Sequence, residues 1–168
     1  MICPSCSTDN VEGSDSCRNC GNDLRNLDSP EALENQAPAF IMTPLAELAG
    51  KAPTTAEVSD PVGLAVRLMQ NADTSCVLVM DKGELAGIIT SWDILHKVAG
   101  PREDLNAVTC RQIMTADPVV LREDDTVAVA VNKMSHGGFR HIPLVESGVP
   151  SRVFSTAEIF HHLAPHLA

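Results

Sequence analysis

The sequence predicts an α+β protein: two similar β-α-β-β-α units in tandem, preceded by a small head built on four cysteines. Three observations predict it. First, the stretch from residue 40 onward repeats itself at a shift of 65 positions without a gap. Pro53 meets Pro118, Asp60 meets Asp125, Met69 meets Met134, and "CVLVM" (76–80) meets "HIPLV" (141–145). Thr90, Asp93 and Ile94 meet Ser155, Glu158 and Ile159. A period this long, seen twice, marks a tandem pair, because a solenoid needs three or more units. Second, the apolar pattern within each unit switches between helical spacing and short β runs. Third, Cys3, Cys6, Cys17 and Cys20 form two C-x2-C pairs ten residues apart.

The head, residues 1–26, is polar and poor in large apolar side chains, so apolar burial alone would not fold it. Residues 27–39, "LDSPEALENQAPA", carry two Pro and read as a linker. One helical turn is expected in it at "SPEALEN", with Ser29 as cap and Pro30 at N1. The first unit spans 40–104 and the second 105–168. Each opens with a Pro-led extended segment, "PTTAEV" or "PVVLRE". An amphipathic helix follows, "DPVGLAVRLMQNA" or "DDTVAVAVNKMSH", with Asp60 and Asp125 as N-cap or first-turn acids and Pro61 at N1. Two strands come next. In the first unit "SCVLVM" and "LAGIIT" are joined by the hairpin signal "DKGE". In the second, "RHIPLV" and "RVFS" are joined by "ESGVPS". A last helix closes each unit, "SWDILHKVA" or "TAEIFHHLA".

The chain is 44% hydrophobic but only 3% aromatic, with no Tyr and one Trp. An aliphatic core is therefore expected, with Trp92 and Phe139 either filling it or free to stack on a base. A net charge of −10, from 22 acidic residues against 12 Lys and Arg, argues against nucleic acid as a partner. No apolar run reaches the roughly 18 residues of a membrane span. The start, "MICPSCSTDN", has neither the basic nor the apolar region of a signal peptide. A cytoplasmic protein is the expectation. No Ser–His–Asp set, carboxylate pair or Gly-rich phosphate loop stands out, so the chain is read as a non-enzyme with no catalytic residues. Cys76 is read as an inert buried thiol. His161, His162 and His166 are read as a solvated tail rather than a metal site.

Thr90 and Asp93 sit three apart where "GIITSWDIL" turns from strand into helix. Two readings stand side by side: a capping pair at the positive end of a helix, or a binding site at a strand–helix corner. The stretches "IMTADPVVLREDDTVAVAVNKMSHGGFRHIPLV" and "GIITSWDIL" resemble a tandem pair of CBS domains, a Bateman module, over residues of about 41–165. That family ends each repeat with Gly, two apolar residues, Thr or Ser, two variable residues and Asp. Gly87 to Asp93 match throughout, whereas the second unit has Arg152, Ser155 and Glu158 at the Gly, Thr and Asp positions.

The resemblance implies a regulatory sensor whose pockets lie between repeats and bind an adenine nucleotide (AMP, ADP or ATP). It implies that Asp93 holds ribose hydroxyls and Thr90 lies near ribose or phosphate. Pro118 and Val119 would flank the base, and Arg140 and His141 would reach the phosphate. The opposite pocket would draw on Thr54, Thr55 and Ser75 with Ser155 and Glu158. There Ser75 and Cys76 replace Arg140 and His141, so a degenerate pocket without basic groups is expected, open to neutral or cationic ligands such as adenosine or S-adenosylmethionine. The resemblance also implies a homodimer formed through helices. The alternative is a ligand-free dimeric scaffold.

Two C-x2-C turns can complete a tetrahedral S4 site. Residues 1 to about 25 resemble a short zinc ribbon, which implies Zn2+ held by Cys3, Cys6, Cys17 and Cys20. Rubredoxin-type iron, serving electron transfer, is the alternative. Arg18 and Arg25 are outnumbered by Asp9, Glu12, Asp15 and Asp23, so docking of a client protein is the expected role of the head rather than nucleic-acid binding.

Overall fold

The structure, a computed structural model, describes residues 2–3, 5–11, 14–22, 24, 38–100 and 104–167. It divides into two units, residues 1–43 and 44–168. The helical turn expected at 29–35 lies outside the described residues.

The head is made of two matched knuckles. In the first, Ser7 N–H donates to the Cys3 carbonyl (2.9 Å); in the second, Gly21 N–H donates to the Cys17 carbonyl (2.9 Å). Both turns close on a residue with positive φ, Ser7 at 56° and Gly21 at 70°. Leu24 is fully buried against Cys3, Cys6 and Cys17. That core is too small to hold a fold without a further crosslink.

The larger unit holds both repeats. The first contains β1 (Thr55–Glu57), α1 (Val62–Asn71), β2 (Cys76–Asp81), β3 (Glu84–Thr90) and α2 (Ser91–Ile94), which runs on as a π-helical turn, Leu95–Ala99. The second contains α3 (Cys110–Ile113), β4 (Thr115–Ala116), α4 (Val127–Gly137), β5 (His141–Glu146), β6 (Val149–Ser155) and α5 (Thr156–Leu163). Strands β1 to β4 form one sheet in that order, with β1 parallel to β2 and the other pairs antiparallel. Strands β5 and β6 form an antiparallel pair. Leu121 bridges Leu144 in parallel, as β1 pairs with β2.

The repeats exchange their leading segments. Strand β4 opens the second repeat yet pairs with β3 of the first. Lys51, which leads the first repeat, bridges Val153 on β6 of the second. The same reciprocity places Leu45 N–H on the Asp125 carbonyl and Cys110 N–H on the Asp60 carbonyl, both at 2.8 Å. Each repeat centres a core that takes in the other's leading segment, Cys110 and Ile113 in the first and Leu45 and Leu48 in the second. Val62, Val77, Val79 and Ile89 anchor one; Val127, Ile142, Leu144 and Phe154 anchor the other.

Three expectations need correction. The second hairpin is not a six-residue "ESGVPS" loop. Ser147 (φ 50°) and Gly148 (φ 83°) form a two-residue turn, as Lys82 (53°) and Gly83 (89°) do in the first repeat. Positive φ at both positions is the type I′ signature, whose twist suits a hairpin. Pro150 therefore lies within β6, where the register shifts at Leu144/Val145, a place that tolerates a missing N–H. Secondly, Asp60 and Asp125 do not cap helices. Each accepts a 2.8 Å bond from the backbone N–H three residues earlier, Glu57 and Arg122. Pro61 and Thr126 occupy the N-cap positions. Thirdly, of the two readings of Trp92 the core-filling one does not hold: the ring is 64% exposed and lies against the His96 ring, 3.6 Å between centroids.

Candidate functional site

The two strand–helix corners share a local construction. Thr90 accepts from Asp93 N–H (3.4 Å), and Asp93 Oδ2 accepts from Thr90 N–H (2.9 Å) and Oγ1 (2.6 Å). In the second repeat Glu158 Oε2 accepts from Ser155 N–H (2.7 Å) and from Ser155 Oγ. Both are capping boxes at the first turn of a helix. In this respect the capping reading of Thr90 and Asp93 is correct.

The corners differ in what surrounds the carboxylate. Asp93 is only 8% exposed, and its Oδ1 lies 2.8 Å from Lys97 Nζ. Burial works against its charge, but hydrogen bonds from Lys97 and Thr90 prevail and hold the carboxyl below its ordinary pKa. Glu158 instead lines a cavity of about 350 Å³, together with Lys51, Thr54, Asp73, Thr74, Ser75, Cys76, His141 and Ser155. Burial also opposes ionisation of Glu158, and hydrogen bonds from Ser155 outweigh it.

This cleft sits between the repeats. Its floor is the register pair His141–Ser155. His141 Nε2 reaches across to Ser75 Oγ of the first repeat, 2.7 Å away. Burial, the largest influence, lowers the His141 pKa, with Glu158 pulling the other way. Lys51 donates to the Asp73 carbonyl at the rim (3.1 Å). The expectation that this pocket lacks basic groups is thereby corrected: Lys51 and His141 both line it. They come from the exchanged leading segment and from the opposite repeat, so aligning the repeats position by position does not reveal them.

The remaining residues singled out in the sequence are dispersed. Pro118 is half-buried and Val119 is 43% exposed. Arg140 is exposed and lines an apolar groove between α4 and α5, with Met134, Phe139 and Phe160. Among the described residues no hydrogen bond or ion pair joins Arg140 or His141 to Thr90 or Asp93. Arg152 does not crowd the second corner. Its guanidinium turns away to pair with Glu123 and to donate to the Leu48 carbonyl (2.8 Å).

In the head, the Sγ atoms of Cys3, Cys6, Cys17 and Cys20 all lie within 4.8 Å of one another. Cys3–Cys20 and Cys6–Cys17 are 3.6 and 3.5 Å apart. Four thiolates at about 2.3 Å from one tetrahedral ion stand about 3.8 Å from each other, so the set fits a metal. Asn19 N–H (3.5 Å) and Asn10 Nδ2 (3.6 Å) donate to Cys17 Sγ, as partners of a thiolate would. Hydrogen bonds from Thr8 and then Asn19 lower the Cys6 pKa to about 5, while Cys20, despite a bond from the Asn22 backbone, is pushed up to about 12 by Cys6 and burial.

A CBS-domain family model matches residues 45–100 and 110–165. The chain is 28% identical over 116 residues to the CBS domain-containing protein CBSCBSPB3 of Arabidopsis thaliana, a match covering 69% of this chain and 20% of that protein. It thus spans about a fifth of that relative's length. Among solved structures, the CBS-domain containing protein ATU1752 from Agrobacterium tumefaciens superposes with a TM-score of 0.66 at 24% identity, over 73% of this chain and 94% of that one. The CBS domain pair of protein MJ0100, in complex with 5′-methylthioadenosine and S-adenosyl-L-methionine, gives a TM-score of 0.66 at 24% identity over 74% and 98%.

Proposed function

Because the chain belongs to the CBS-domain family and carries two copies in tandem, we propose that it is a regulatory module sensing an adenosyl ligand of no net negative charge, held in the Ser155–Glu158 cleft. The observation that carries this reading is the cleft itself: about 350 Å³, between repeats, with a carboxylate at its wall. That volume falls in the range of small-molecule sites. Glu158 is the acceptor for the ribose hydroxyls, and Ser155 fixes its orientation. Charge selects the ligand. Glu158 and Asp73 face one permanent cation, Lys51, while burial disfavours the charged form of His141. A phosphate would meet a surplus of negative charge there, whereas adenosine, a thioether nucleoside or a sulfonium would not. The complex reported for the MJ0100 pair holds ligands of this kind. The Thr90–Asp93 corner, for which the family resemblance implies Pro118, Val119, Arg140 and His141 as companions, shares the capping-box construction.

The test is a thermal-shift panel on the full chain. Adenosine, 5′-methylthioadenosine and S-adenosylmethionine should each raise Tm more than AMP or ATP at equal concentration. A ligand at 100 times its Kd adds about 2.7 kcal/mol. A larger shift with AMP would overturn the charge reading. No shift with any ligand would leave the dimeric scaffold as the function.

The head holds Zn2+ through its four cysteines and docks a client protein. The module acts in the cytoplasm without catalysis of its own. It pairs with a second copy through helix faces where Leu95 (59% exposed) and Phe160 (61%), equivalent in the two repeats, stand out.

A further inference from the structure

Resting on the proposed adenosyl reading, we infer that Lys97 is a latch that closes the Thr90–Asp93 corner, so that the module binds one adenosyl ligand per chain although it has two corners of the same construction. The geometry carries the inference. Lys97 Nζ lies 2.8 Å from Asp93 Oδ1 and donates to the Ile113 carbonyl at 2.6 Å. The ammonium is therefore fixed from two sides: by the carboxylate of the first repeat and by the C-terminal carbonyl of α3, which leads the second. The other carboxylate oxygen is taken by Thr90 N–H and Oγ1. Both oxygens that would receive ribose hydroxyls are thus engaged within the protein.

The second repeat shows the same corner with no ammonium paired to its carboxylate: Lys51, the cation of that cleft, donates to the Asp73 carbonyl instead (3.1 Å). The position 65 residues after Lys97 is His162, which carries no ammonium. Glu158 has the Ser155 bonds on Oε2, yet among the described residues no ion pair of Lys or Arg holds Oε1, and the carboxylate lines the open cleft. The difference between a closed and an open corner thus coincides with the residue four positions after the carboxylate. A ligand entering at Asp93 has to displace Lys97 from two partners; at Glu158 no Lys or Arg ion pair has to be broken among the described residues.

Adenosine, an uncharged probe, tests this by calorimetric titration of the full chain. The wild type should bind one equivalent. Lys97→Met keeps the aliphatic stem and removes the ammonium, and should bind two. Lys97→Arg keeps the charge and should remain at one. Independently of any ligand, the Asp93 carboxyl, followed by carbon NMR during a pH titration, should have a higher pKa in Lys97→Met than in the wild type. Should that variant fold poorly, Lys97→Gln repeats the comparison. One equivalent in the methionine and glutamine variants, or an unmoved Asp93 titration, overturns the latch. Two equivalents in the wild type overturn it as well. If wild type and variants alike take up no adenosine, the adenosyl reading itself has failed and the latch falls with it. That outcome differs from failure of the latch alone, in which the wild type still binds one.

Discussion

Gly87 has no room for a side chain. A Cβ there would lie 2.6 Å from Met114 Sδ and 2.9 Å from the Thr115 carbonyl oxygen, because β4 passes directly over it. At the equivalent crossing in the second repeat the small residue is on the other chain segment. A Cβ on Gly50 would lie 2.9 Å from Phe154 Cζ and 3.2 Å from Arg152 Cδ, so Arg152 replaces the glycine without blocking the corner. Gly87→Ala should therefore destabilise the pair by about 1–3 kcal/mol, as overpacked cores do. Urea unfolding measures it, and an unchanged midpoint would show that β4 can shift at no cost. Asp93 and Glu158 both have carboxyl pKa values below their ordinary ones. A depressed carboxyl contributes stability that is fully present above its unfolded pKa, about 4, and is lost as pH falls through the folded value. The wild-type Tm should fall more steeply than that of Asp93→Asn between about pH 5 and about pH 2. Parallel curves would contradict the assignment.

At the level of elements, both hairpins rest on two-residue turns, but only one was legible. "DKGE" has the charged, Gly-containing form that announces a hairpin. "ESGVPS" hides the same turn because Pro150 looks like a strand breaker, whereas it is accommodated next to the register shift at Leu144/Val145. Ser147 holds φ 50° without a side chain suited to it. Asn favours that conformation, so Ser147→Asn should stabilise the unit by about 0.5 kcal/mol, read as a higher urea midpoint. A lower midpoint would mean that Ser147 makes a contact worth more than the backbone strain. The short elements α3 and β4 also escaped the sequence pattern. Four and two residues long, they are defined by pairing with the other repeat rather than by any periodicity of their own.

At the scale of the molecule, the tandem architecture was readable because a gapless 65-residue repeat constrains every element twice. Which corner is open was not readable. It depends on Arg152 turning to Glu123, Lys97 reaching Asp93 and Ile113, and His141 crossing to Ser75, a contact between residues 66 positions apart. The four-cysteine cluster was readable because both knuckles are local. The division into two units predicts independence: Cys17→Ser should release the metal and unfold the head while the thermal transition of the repeat pair stays in place. A shifted transition would mean that the head supports the pair.

The most direct test of the account compares adenosine binding by the wild type, Glu158→Ala and Asp93→Ala in calorimetric titrations. If the ligand sits in the Ser155–Glu158 cleft, Glu158→Ala weakens binding by roughly 10- to 150-fold, the loss of a charged acceptor worth about 1.5–3 kcal/mol, and Asp93→Ala leaves it nearly unchanged. The reverse order, with Asp93→Ala abolishing binding and Glu158→Ala tolerated, would contradict it and place the ligand at the corner that Lys97 covers.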